Sequence, residues 1–218
     1  MDYQISSRDY LARARTRLSD NTQEALFYAA LELRCGIEAR YQEYLGAWDH
    51  IAEKKKSGWK IANLAKDVEG AFKTGNKIAE IRIYDKNIVN EALLIFYFTP
   101  VTSDLKRGVE RRLNDCLHTM KRLRKSEDTF WKKLRKDLEK IAGQLELANR
   151  GTLLGPPLMR ADGKKIDMNC EIPETKLDHR DKMKDFMSKN DLLLKVSYLQ
   201  NFPIIIEKNA VIWTPPER

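Results

Sequence analysis

Hydrophobic positions recur at steps of three and four through most of the first 150 residues and switch to alternation in two short stretches. That pattern predicts a helical bundle carrying a few strands. Tyr10, Leu11, Ala14 and Leu18 mark a first helix over Ser7–Leu18, closed by the polar break Ser19-Asp20-Asn21. Asn21, with Glu24 three residues on, reads as a capping box for a second helix over Ala25–Leu45. There Leu26, Ala30, Leu33, Ile37, Tyr41 and Tyr44 form one apolar stripe, with Arg34 and Glu38 as an i,i+4 pair beside it. Residues 53–58, EKKKSG, read as a loop, and Trp59–Phe72 as a shorter amphipathic helix.

The period then changes. IAEIRIY at 78–84 and EALLIFYFTPV at 91–101 are rich in β-branched and aromatic residues and flank Asp85-Lys86-Asn87, which predicts a β-hairpin inserted among the helices. Ser103 or Asp104 can cap the next helix, which runs to about Met120. Another helix over Asp128–Asn149 stops near Asn149-Arg150-Gly151. Beyond it, segments 152–159 and 164–172 flank Ala161-Asp162-Gly163 as a second hairpin, 177–190 reads as a short charged helix, and 192–213 supplies one or two late strands. The expected fold class is therefore α+β, mainly α. Residues 1–150 would form a helical domain with its hairpin at about 78–99, and residues 151–218 a β-containing extension packed on it.

Charge sharpens this picture. The 218 residues carry a formal net charge of +8, and the isoelectric point is near 9.3. From Lys106 to Lys140 the chain holds 13 Lys or Arg against six Asp or Glu, so +7 of that excess falls in one helical stretch. Concentrated positive charge points to an anionic partner, nucleic acid or an acidic protein, rather than to diffuse solubilising charge. Cys35, Cys116 and Cys170 are isolated, with no CxxC spacing, and the N-terminus has no apolar leader, so a reduced, cytoplasmic protein is expected. No apolar run reaches membrane-spanning length.

The same basic stretch holds the candidate chemistry. On a straight helix Arg111 and His118, seven residues apart, share a face, with Arg107 one turn before and Arg122 one turn after. An Arg can hold a phosphate while a nearby His moves a proton near neutral pH. The bland alternative is a solvated charged face with an ordinary surface His. Arg112 sits further round and would serve the same site only if the helix starts late or bends, while Asn114 and Asp115 could hydrogen-bond a ribose or orient the imidazole. Lys132, Lys133 and Lys136 extend the basic surface along the following helix. His50 and His179 have no metal-ligand spacing, and no nucleotide-binding or hydrolase glycine motif is present, so neither metal nor cofactor is expected. Cys116 reads as a structural thiol, and Trp59, Phe130 and Trp131 as core anchors more readily than base-stacking rings.

With the Tyr28-Ala29-Ala30-Leu31-Glu32-Leu33-Arg34 run in a long second helix and a later helix carrying Arg-x4–6-His, the first 150 residues resemble the HEPN (higher eukaryotes and prokaryotes nucleotide-binding) superfamily. The motif can be written from Arg111 with six intervening residues or from Arg112 with five. The polar Arg112 following Arg111 fits the family pattern better than the Leu113 following Arg112. The resemblance does not extend to the 78–99 hairpin or to the tail after Gly151. It implies a helical bundle that homodimerises, with two Arg/His motifs facing each other as a metal-independent endoribonuclease site, as in bacterial toxins and defence effectors. His118 would then be the acid/base and Arg111 the phosphate clamp, with Arg112 assisting. Arg107, Arg122, Lys132, Lys133 and Lys136 would bind the RNA. The competing readings are a non-catalytic helical module that binds nucleic acid or an acidic protein through the same face, and an interaction subunit with no nucleic-acid role.

Overall fold

The computed structural model describes residues 5–20, 22–48, 51–85, 90–117, 124–153, 155 and 192–214. It is mainly helical with a small four-stranded sheet, an α+β architecture. The predicted second hairpin, the 177–190 helix, Asn21, His50, His118, Arg122, Cys170 and His179 lie outside the described residues.

Helix α1 (Ser7–Ser19) starts at Ser6, whose side chain and that of Asp9 close a reciprocal capping box. Helix α2 (Gln23–Gly46) is capped by Thr22, which accepts from the Ala25 N–H, so the cap expected at Asn21 sits one residue later. The whole predicted stripe of α2, Leu26 through Tyr44, is buried. It packs between α1, α4 (Ile61–Phe72) and α7 (Thr129–Arg150). The stretch expected to be a loop at 53–58 contains a single helical turn, α3 (Glu53–Lys56), in which Glu53 pairs with Lys56 at 2.8 Å.

Strands β1 (Ile78–Asp85) and β2 (Leu94–Phe98) pair antiparallel, as the alternation predicts. They are not an isolated hairpin, however. β3 (Leu192–Leu199) pairs antiparallel with β1, and β4 (Ala210–Val211) pairs parallel with β2, giving the order β3-β1-β2-β4. The C-terminal segment thus completes the sheet, and Arg82 fastens it by bridging Glu80 at 2.7 Å and Glu207 at 2.5 Å. Alternation divides the faces. Ala79, Ile81, Ile83, Phe96 and Phe98 join the helical core, while Ile78, Ile95 and Tyr97 form a second cluster with Ala92.

A buried polar node joins these layers. The Arg40 guanidinium, 1% exposed, donates to the Ala148 and Gly151 carbonyls at 3.1 and 2.9 Å and pairs with Glu43 at 3.0 Å. It thereby satisfies carbonyls that the end of α7 leaves without helical partners. Gly151 follows in extended conformation, not the left-handed one usual after a helix. Glycine is needed because a Cβ would collide with the Tyr97 carbonyl and Thr99 Oγ1.

Candidate nucleic-acid interface

Two elements build the basic face. Helix α5 (Ser103–Gly108) is capped by Thr102, one residue before the expected Ser103, and Thr102 Oγ1 accepts from the Leu105 N–H at 3.3 Å. A π turn (Val109–Leu113) and the short helix α6 (Asn114–Leu117) continue it. The predicted straight helix is therefore broken at the candidate motif. The Asn114 N–H donates to the Val109 carbonyl, a five-residue step. The physical reason is in the apolar spacing. Leu105, Val109 and Leu113 are all buried, at strict steps of four. An α-helix rotates such positions by about 40° per step, and the wider turn absorbs that drift. A run of steps of four with no step of three is the signal that would have revealed it.

Because of the π turn, a stripe of Arg107, Arg111, His118 and Arg122 laid out on straight-helix geometry does not carry across residues 109–113. Asn114 is half-buried and Asp115 exposed on the turn that follows. The structure instead places Arg107, Arg111 and Arg112 along one wall of an open groove of about 340 Å³, with Asp137, Lys140 and Gln144 of α7 opposite. Gly108 and Ile141 bring the helices together at its floor, where a Cβ on Gly108 would lie 3.1 Å from Ile141 Cγ1.

The four cations of this groove are not equivalent. Arg107 pairs with Asp104 on its own helix, and Arg112 reaches across to Asp137 at 2.7 Å. Arg111 and Lys140 form no ion pair with a described residue, and both are exposed. Two paired and two unpaired cations leave a positive groove matched to a phosphate. Beyond it, Lys132, Lys133 and Lys136 are exposed on α7. Helical geometry puts Lys133 on the groove side with Asp137 and Lys140, and Lys132 and Lys136 further round toward solvent.

Several basic residues of the stretch serve the fold. Arg135 donates to the Leu18 carbonyl and, at 2.7 Å, to the Asp20 carbonyl, closing the end of α1. Arg124 pairs with Asp128, the N-cap of α7. Burial, then the neighbouring Asp115, pushes the Cys116 thiol above its ordinary value. Burial, then Tyr44 and Glu110, raises the Tyr41 hydroxyl on the α2 side of the π turn. Of the three aromatics, Phe130 and Trp131 pack against the core and each other. Trp59 does not, being 65% exposed with Lys60 5.4 Å from its ring centre. Among the described residues no cluster of three or more His, Cys, Asp or Glu is placed to hold a metal ion, and no helix is long and apolar enough to cross a membrane.

No protein-family model, curated protein or solved structure matches the chain.

Proposed function

We propose that this protein binds RNA through the groove between the α5–π–α6 segment and α7, with Arg111 and Lys140 on phosphate oxygens and Lys132, Lys133 and Lys136 extending the track. The observation that carries this reading is the pairing pattern. Arg107 and Arg112 have carboxylate partners, whereas Arg111 and Lys140 face the groove with none among the described residues. Fluorescence anisotropy with a single-stranded RNA tests it. Arg111→Ala combined with Lys140→Ala should weaken binding at least tenfold while leaving circular dichroism unchanged, because both side chains are exposed. Equal affinity of that double variant and the parent would overturn the reading.

A second reading adds cleavage. Arg111 lies in a π turn, a geometry frequent at functional sites, and begins the Arg-x6-His motif that ends at His118. In this reading the protein is a metal-independent endoribonuclease of HEPN type, acting as a homodimer and serving as a bacterial defence or toxin effector. The RNA 2′-hydroxyl attacks the adjacent phosphorus, His118 transfers the proton, and Arg111 stabilises charge on the phosphorane. Arg112 helps set the groove's shape through Asp137. Cleavage should proceed in EDTA and leave 2′,3′-cyclic phosphate ends. His118→Ala should slow it by ~10²–10⁴-fold, the usual contribution of a general acid/base. Cleavage that survives this substitution, or that needs added magnesium, leaves the binding function alone.

A further inference from the structure

A second cavity, of about 550 Å³, lies on another part of the molecule, between α1, the C-terminal part of α7 and Trp213. Its α1 wall is one helical face, Arg8, Ala12, Arg15 and Ser19, and Glu146 forms part of the far side. Trp213 is held in place by its backbone N–H, which donates to the Arg150 carbonyl at 2.9 Å. The size falls within the range of small-molecule sites, roughly 300–1,000 Å³. The apolar part of the lining comes from Trp213, Leu11 and Ala12.

Two cations, Arg8 and Arg15, and two carboxylates, Asp9 and Glu146, line it, and both carboxylates are already engaged. The Asp9 carboxylate is engaged by Ser6, whose N–H donates to it at 3.1 Å and whose hydroxyl also does so. Glu146 is engaged by Arg15 Nη2 at 2.9 Å, yet Arg15 Nε remains buried with no hydrogen-bond partner. Arg8 forms no ion pair with a described carboxylate. Its guanidinium makes one long hydrogen bond, 3.4 Å to the Asn149 carbonyl, and lies 5.0 Å from the centre of the Trp213 ring. Burial, and next the nearby Arg40, lower its pKa, while Glu43 and Asp9 pull it the other way. A guanidinium with no ion-pair partner among the described residues, set beside an indole face, is the complement of an anion attached to a flat apolar body.

We propose that this cavity binds a small organic anion, a carboxylate or phosphate ester, with its head on the Arg8 guanidinium and its flat apolar body against Trp213. The site is separate from the RNA groove, and its existence does not depend on the RNA reading.

Phenyl phosphate, benzoate, inorganic phosphate and the uncharged benzyl alcohol are suitable probes, titrated into the full chain while the Trp213 indole N–H is followed by NMR. The indole signal is assigned by its loss in Trp213→Phe. One of the two aromatic anions should saturate at least tenfold more tightly than benzyl alcohol and inorganic phosphate. The tighter of the two identifies the head group. Arg8→Gln should weaken the aromatic anions at least tenfold and leave benzyl alcohol unchanged. Thr16→Trp, which fills the cavity from an exposed position on α1, should block all probes and provides a second arm should Arg8→Gln unfold. Equal binding of benzyl alcohol and the anions, no saturation by ~10 mM, or no effect of Thr16→Trp would overturn the proposal. Arg111→Ala with Lys140→Ala should leave these titrations unchanged, so this site and the RNA groove fail or succeed separately.

Discussion

Arg40 is the centre of the polar node between α1, α2 and α7. It joins α2 to two carbonyls at the end of α7, to Glu43 and to the face of Tyr44. Glu43 in turn accepts from the Ser7 N–H at 2.6 Å, so one guanidinium holds three helices in register. Arg40→Met removes the donors, leaving the Gly151 carbonyl without its side-chain partner and the half-buried Glu43 carboxylate with the Ser7 N–H but no cation. Leaving a buried acceptor without its donor is expected to cost about 1–3 kcal/mol, read as a lowered urea midpoint, and Arg40→Met with Glu43→Gln should recover part of the loss. A midpoint within error of the parent would show that the node is not structural. None of this was legible in the sequence. Arg40 sits inside a helix between Ala39 and Tyr41 with nothing local to mark it as buried, and its carbonyl partners lie more than 100 residues away. By contrast, Leu33 was legible from its spacing alone. It is fully buried, so Leu33→Asp should abolish cooperative thermal unfolding by placing a charge without a partner in the core.

At the scale of elements, what the sequence conveyed was local periodicity, and what it withheld was long-range pairing. The stripe of α2 and the alternation of β1 and β2 follow from 3.6- and 2-residue repeats, which neighbouring residues reveal. The pairing of β1 with β3 joins Ile81 to Val196, and no local pattern encodes that partner. Helix glycines separate the two kinds of information. Gly36 lies inside α2 where a Cβ would meet Leu145 Cδ2 at 2.9 Å and Tyr10 Cβ at 3.1 Å, so its absent side chain lets α1 and α7 approach. Gly143 lies inside α7 with nothing within 4 Å. Helix propensity alone predicts the same gain from alanine at both. Packing predicts opposite signs. Gly143→Ala should stabilise by about 0.5–1 kcal/mol, whereas Gly36→Ala should destabilise by about 1–3 kcal/mol through overpacking. Urea titration of both variants decides the matter, and a gain at Gly36 would mean that the three-helix junction has slack the distances do not show.

For the whole molecule, the question is how much of the basic stretch between Lys106 and Lys140 a polyanion can use. The sequence concentrates thirteen cations there, but fold and pairing withdraw several. Arg107, Arg112 and Arg124 have carboxylate partners, Arg135 caps α1, and Lys106 borders a different cavity beside α4. Five cations with no ion-pair partner among the described residues share the groove and the solvent side of α7, namely Arg111, Lys132, Lys133, Lys136 and Lys140. Lys125 is exposed before α7, and Lys121 and Arg122 lie outside the described residues. Arg111 and Arg112 illustrate why sequence could not make this selection. They are adjacent, both fit the Arg/His motif, and only the position of Asp137, 25 residues on, separates a tethered guanidinium from a free one. Each phosphate contact on a single strand contributes about −0.7 to the slope of log affinity against log salt. Five contacts therefore predict a slope near −3.5, whereas all thirteen cations would give one near −9. Reversing Lys132, Lys133 and Lys136 to Glu should flatten the slope by about 2 without changing the melting temperature, since all three are exposed. RNA titrations between 50 and 200 mM salt, the window over which such slopes are read, distinguish these cases. A slope as steep as the full cation count would mean that the paired arginines release their carboxylates on binding, and a flat response would remove nucleic acid as the partner of this face.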